Sequence, residues 1–273
     1  MRRFCENVFK ELQDAEFTWR LDQEFGNCVT FHWNTEAATE QELRALTSSL
    51  VDVFMTFRLS DYVRYLLRTV YYFDNEPEVN RIIDLSHWIL RSSDEESKML
   101  RRAYHIPDAV YNLLLTIIQT EEKVHFDSIV QFRFSQVKHL FIEHIGLAID
   151  EYKREEEHQA FVHMLREHVT TLEEKVDEIH VLQGSSFEFF NRSGKRFSRF
   201  ELRAMMHESP LYLIGLDAEE FNLAPIIALS PKRIFMYGDD PIDPKTITVQ
   251  NIFQERVTFS PLVEFPFAVK NKY

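Results

Sequence analysis

The chain has 273 residues, 45% of them hydrophobic and 24 of them phenylalanine, which is material for a substantial core and not for a disordered polymer. A formal net charge of −13 argues against general affinity for nucleic acid or anionic lipid, both of which are gripped through lysine and arginine. Two cysteines, Cys5 and Cys28, are too few for a disulfide framework and fit a reduced, cytoplasmic setting.

The N-terminal stretch MRRFCENVFKELQD is charged throughout and does not read as a signal peptide. The longest apolar block, Val110–Ile118, is interrupted by Asn112 and Thr116 and is too short for a membrane span.

In chain order, Phe4, Val8, Phe9 and Leu12 share one face of a short helix over Arg3–Leu12. Phe17–Asp22 and Cys28–Trp33 alternate apolar and polar residues around Gly26-Asn27, a hairpin pattern. From Thr39 the period becomes helical. Leu43, Leu46, Leu50, Val53, Phe54 and Phe57 form one stripe, and Tyr62, Leu66, Val70 and Phe73 resume it after a break at Ser60-Asp61. Pro77 opens a helix carrying Val79, Ile82, Ile83, Leu85, Ile89 and Leu90. Ser92–Ser97 is polar, a loop or helix start, and Pro107 opens another helix that runs to about Thr120.

Phe126–Phe134 supports two readings: VQFRF has a strand pattern, while Asp127-Ser128 could cap the next helix. Val137–Tyr152 and Phe161–Val176 are expected as helices on either side of a charged junction, Lys153–His158.

At Asp177 the period switches to two. Ile179–Leu182 and Phe187–Phe190 read as strands, followed by a turn at Asn191–Gly194, a helix around Arg199–Met206 and a strand at Leu211–Ile214. The pattern of Glu219–Ala228 is helical, kinked at Pro225 or begun just before it. Arg233–Tyr237 suits a buried strand. Asp243-Pro244 is an N-cap with proline at the first helical position, and the helix it starts carries Val249, Ile252 and Phe253. Arg256–Phe259 reads as the next strand. Strand, helix, strand implies parallel neighbours joined by a crossover. The expected fold is α+β and largely helical: an N-terminal helix and hairpin over 1–36, a helical region over 37–176, and a C-terminal α/β region with parallel strands over 177–273, packed as one compact body.

Few motifs carry chemistry. Asp239, Asp240 and Asp243 have the DDxxD spacing that holds magnesium through carboxylates, but Pro241 and Pro244 oppose the shared helix face such a site uses. His158, His163 and His168 recur every five residues, about 140° apart around a helix, and cannot converge on one ion. Glu122–His125 and Glu155–His158 have Glu-x-x-His spacing, but Glu155 lies in a solvated acidic run. With no Gly-x-Ser-x-Gly, Walker loop or Gly-x-Gly-x-x-Gly, no metal or cofactor is expected. Arg192, Lys195, Arg196, Arg199 and Arg203 form a basic island in an acidic chain; they could grip phosphate or an acidic partner, or form a solvated face opposite the acidic stretch Asp150–Glu178. Trp33, Trp88, Tyr71 and Tyr72 are expected in the core.

Several runs together resemble one family. Phe132-Arg133-Phe134, Ile149-Asp150-Glu151-Tyr152, Ala160-Phe161 and Val176-Asp177-Glu178-Ile179-His180-Val181 occur in the order and spacing of the YtxC-like sporulation proteins of endospore-forming bacteria. The C-terminal runs Pro225–Ile234, Thr246–Phe253 and Arg256-Val257 resemble it best. Relatives tend to carry cysteines after the Arg-Val strand, where this chain has Thr258-Phe259-Ser260-Pro261. The resemblance implies a cytoplasmic bacterial protein linked to sporulation. The leading functional expectation is a non-enzymatic interaction or regulatory protein with a protein partner, no nucleic acid and no membrane span. The competing expectation is a phosphate-ligand enzyme or sensor, with a site at the strand ends of the C-terminal unit built from Asp239, Asp240, Asp243, Arg192, Arg196 and Arg199.

Overall fold

A computed structural model describes residues 18–22, 28–32, 39–91, 105–121, 123–209, 211–217 and 220–267. The helix expected over Arg3–Leu12, the segment Ser92–Ser97, Trp33 and Glu122 lie outside the described residues. The chain divides into two units between Arg154 and Glu155.

In the first unit the hairpin forms as β1 (Thr18–Asp22) and β2 (Cys28–His32), paired antiparallel with Trp19 opposite Phe31. A third strand, β3 (Lys123–His125), adds to β2, so the hairpin belongs to a three-stranded sheet of its own. Thr39 caps α1 (Glu40–Val53) through a capping box with Glu42. The helix does not break at Ser60-Asp61. A π-helical turn at Phe54–Arg58 leads directly into α2 (Leu59–Thr69). The wider turn advances the apolar stripe by about one residue. Phe54 is therefore buried and Phe57 is exposed, and Leu59, Val63, Leu66 and Leu67 carry the buried face onward.

Helices α3 (Glu76–Arg91) and α4 (Ile106–Thr120) bury the residues that their periodicity marks. Of the two readings of Phe126–Phe134, neither is complete. The strand lies just upstream, and the segment itself is helical: one turn at Phe126–Ser128, a π turn at Ile129–Arg133 and a 3-10 turn at Phe134–Gln136. These turns carry Phe134 into an aromatic cluster with Phe54 (4.7 Å between ring centroids), Tyr62 (5.7 Å) and Phe141 (6.2 Å). Trp88 and Tyr71 pack against this core, but Tyr72, with φ of 60° beyond the end of α2, stands in solvent.

Helix α5 (Lys138–Thr171) runs unbroken through the residues expected as a charged junction. Lys153–His158 contains no glycine or proline, and Arg154 pairs with Glu151 one turn back, so nothing there stops a helix. It ends at Thr171 rather than at Val176, which starts the first strand of the second unit.

The second unit is a four-stranded sheet in the order β5-β4-β6-β7: β4 (Val176–Leu182), β5 (Glu188–Asn191), β6 (Pro231–Gly238) and β7 (Val257–Pro261). β6 is parallel to both β4 and β7, and β5 is antiparallel to β4. Helix α6 (Arg199–His207) follows β5, α7 (Ala224–Leu229) precedes β6, and α8 (Pro244–Phe253) crosses from β6 to β7. α7 begins just before Pro225, and the Glu220 carboxylate accepts the free N–H groups of Asn222, Leu223 and Ala224 at its start. Leu211–Ile214 is a 3-10 turn, not a strand: Leu211 and Ile214 are buried and Tyr212 is exposed, a period of three. The Arg166 guanidinium of α5 donates to the Asn251 carbonyl near the end of α8 (2.7 and 3.0 Å).

His144 is a buried polar residue of the first core. Its Nε2 lies 2.9 Å from the Ser86 hydroxyl and 3.1 Å from the Ser86 carbonyl, which can only accept, so the neutral ring carries its proton on Nε2. Burial pushes the imidazole down to about 4 despite the carbonyl's opposing pull. An unfolded histidine titrates near 6.5, so below that pH the unfolded chain binds the extra proton. The stability that His144 contributes is complete above about pH 6.5 and is lost as the pH falls towards 4, by roughly 3 kcal/mol. Urea unfolding at pH 7, 5.5 and 4 should show this acid-dependent loss in the wild type and not in His144→Gln; equal slopes in the two proteins would contradict it.

Candidate functional site

Alternation along the strands of the second unit gives its sheet two different faces. Ile179, Val181, Phe187, Phe189, Ile234 and Met236 enter the apolar core with α6, α7 and α8. Glu178, His180, Phe190, Arg233, Phe235 and Tyr237 point the other way.

A cleft of ≈ 430 Å³ opens between the start of β5 and the start of α6. The Asn191 side chain builds its outer turn, its Oδ1 accepting from the Ser193 and Lys195 N–H groups (both 3.0 Å), and Gly194 supplies φ of 79°. The chain then returns along β5, the Phe197 N–H donating to the Phe189 carbonyl at 2.8 Å. Ser198 caps α6 in a capping box with Glu201. The Glu201 carboxyl is pulled down to about 2, chiefly by its hydrogen bond from Lys195 and then by those from Ser198. Arg196 pairs with Glu188 at 2.7 Å, and the Arg199 guanidinium lies over the Phe221 ring, 5.6 Å from its centroid. Arg203 lies over the same ring at 5.8 Å. The walls carry Arg196, Arg199, Ser198 and Glu188, and Phe187, Phe189 and Leu202 are buried at the base.

The residues expected to form one ligand site are divided. Arg196 and Arg199 line the cleft; Asp239, Asp240 and Asp243 do not. Asp240 Oδ1 accepts from the Ile242 N–H, and Asp243 caps α8 by accepting from Lys245 and Thr246. Their loop is held by Gln183, whose amide donates to the Asp240 carbonyl and accepts from the Asp240 N–H. Gly238 must lack a side chain, because a Cβ there would overlap Gln183. Arg192 turns to Glu178 at 3.5 Å. Among the described residues no three His, Cys, Asp or Glu side chains converge as metal ligands.

Sequence reasoning missed the polar line on the second face of the sheet. Glu178 is nearly covered and takes Arg233 at 2.7 Å as well as Arg192, and its Oε1 is 3.9 Å from His180 Nε2. His180 Nδ1 is 3.1 Å from the Tyr237 hydroxyl. Burial lowers the His180 pKa, against the raising effect of Glu178; burial first, then Glu178 and Glu264, raises that of Tyr237. Both are therefore neutral at pH 7. The imidazole stacks on Phe235 and Tyr237 and meets the edge of Phe267 at 4.9 Å. Covered in this way, it acts as a packing centre for the aromatic face. The visible signal was the two-residue spacing of Glu178 and His180 in a strand pattern.

Residues 44–258 match the model of the YtxC-like family. The chain belongs to this family. It is similar to the "Uncharacterized protein YtxC" of Bacillus subtilis (strain 168), 25% identical over 225 residues that cover 81% of this chain and 78% of the relative. No solved structure matches it significantly. The YtxC-like match includes the cleft and nearly all of the four-stranded sheet, but neither strand of the N-terminal hairpin nor Phe265 and Phe267.

Gly194 tests how the second face is closed. A Cβ there would stand 2.5 Å from the Phe267 ring, in a backbone region that L residues avoid. Gly194→Ala should cost roughly 1–2 kcal/mol in urea unfolding from the backbone alone, and more with the clash. In a Phe267→Ala background the same change should cost less; an identical cost in both backgrounds would place Phe267 elsewhere.

Proposed function

We propose that this YtxC-like protein is a cytoplasmic, non-enzymatic interaction or regulatory protein of endospore formation. The observation that carries the reading is how the second unit uses its polar and apolar side chains. Glu178 takes Arg192 and Arg233, Glu188 takes Arg196, Glu201 takes Lys195, and Asp240 and Asp243 hold backbone N–H groups. Groups committed to one another in this way are supports of a fold more than reagents. The same unit leaves Phe200 83% and Tyr212 77% exposed. Large aromatic side chains in solvent are what a protein partner covers, and such residues dominate binding energy at interfaces.

The absence of any helix long and apolar enough to cross a membrane, among the described residues, is compatible with this reading. Membership of the YtxC-like family supports the bacterial setting, and the link to sporulation rests on the resemblance of the sequence runs above.

Deleting the gene in its bacterial host should lower the count of heat-resistant spores without slowing vegetative growth. Wild-type protein should restore the count, and a Phe200→Ser, Tyr212→Ser double variant should not, although it melts within a few degrees of wild type. Normal spore counts in the deletion strain would refute the sporulation role.

A further inference from the structure

The cleft between β5 and α6 has the attributes of a small-ligand site. Its ≈ 430 Å³ lies in the range that such sites occupy, and its base is apolar with a few polar groups at the rim. Arg199 is the distinctive group. Its guanidinium is laid over Phe221 and makes no hydrogen bond or ion pair with another described residue. A cation–π contact uses the charge of the guanidinium and not its N–H donors, which remain available to an acceptor. Arg196, on the same wall, is neutralised by Glu188 at 2.7 Å. Arg203 lies near the same Phe221 ring, 5.8 Å from its centroid. An anion can meet the Arg199 fork, and the buried Phe187, Phe189 and Leu202 at the base accept an apolar group attached to it.

We propose that this cleft binds a small organic oxyanion, a phosphate or carboxylate carried on an apolar body, with Arg199 as its anion receptor. Asp239, Asp240 and Asp243 take no part. The proposal does not depend on the role in spore formation, and either can fail without the other.

The probe is phenyl phosphate, with benzoate and inorganic phosphate as companion arms, followed by ligand-detected NMR on the full chain. Phenyl phosphate should bind saturably at low millimolar concentration or tighter. Arg199→Gln, on the exposed side of α6, should keep the wild-type melting temperature and weaken binding at least about tenfold, because it removes the charged fork. Arg192→Gln, which lies outside the cleft, should leave the affinity unchanged. No saturable binding of phenyl phosphate or benzoate up to about 10 mM would overturn the proposal, as would equal affinities in wild type and Arg199→Gln, or an equal loss in Arg192→Gln. An affinity for inorganic phosphate equal to that for phenyl phosphate would overturn the role of the apolar base.

Discussion

The second unit depends on β6 pairing in parallel with both of its neighbours. Parallel strands cannot be joined by a tight turn, so each pairing requires the chain to leave the sheet and return. Those excursions supply the covering helices: α6 and α7 lie between β4 and β6, and α8 lies between β6 and β7. One face of the sheet is thereby committed to an apolar core, with Ile179 opposite Ile234, Val181 opposite Met236, and Met236 opposite Phe259. The other face receives no helix from these connections. It is finished with Glu178, His180 and Tyr237 under the rings of Phe265 and Phe267, so the same alternation that builds the core also assembles the polar line.

The charged residues gain their meaning from this arrangement. A basic island in an acidic chain invites a single functional reading, yet its members have separate duties. Lys195 steadies the cap of α6, Arg196 closes on Glu188, Arg192 reaches Glu178, and Arg199 and Arg203 lie over the ring of Phe221. The DDxxD loop likewise serves the start of α8, clamped by Gln183 on the neighbouring strand.

Much of the fold was legible where one local rule acted alone. Asp243-Pro244 could only start a helix, the hairpin spacing around Gly26-Asn27 fixed a pairing that the structure shows, and the parallel arrangement of β6 and β7 followed from the helix between them. The misses have physical causes. β3 is three residues long, too short for alternation to register, and it becomes a strand only because β2 offers an edge. The π turn at Phe54–Arg58 shifts the helical phase without any proline or glycine to announce it. Leu211–Ile214 is four apolar or aromatic residues in a row, and only tertiary burial decides between two periods. Of the expected ligand residues, Arg196 and Arg199 were found in one cleft. Phe221 falls within Glu219–Ala228, the stretch whose pattern is helical; its place in the cleft depends on α7 starting three residues later, at Ala224.

The organising role of β6 is open to one direct measurement, native-state hydrogen exchange resolved to single amides. Strand β6 is paired on both sides, and its side chains Ile234 and Met236 are wholly buried, so its amides should open only with global unfolding and be among the slowest of the second unit. The exposed turn at Asp239–Ile242 should exchange orders of magnitude faster. Amides of β6 that exchange as fast as that turn would contradict a unit built around a central, doubly parallel strand.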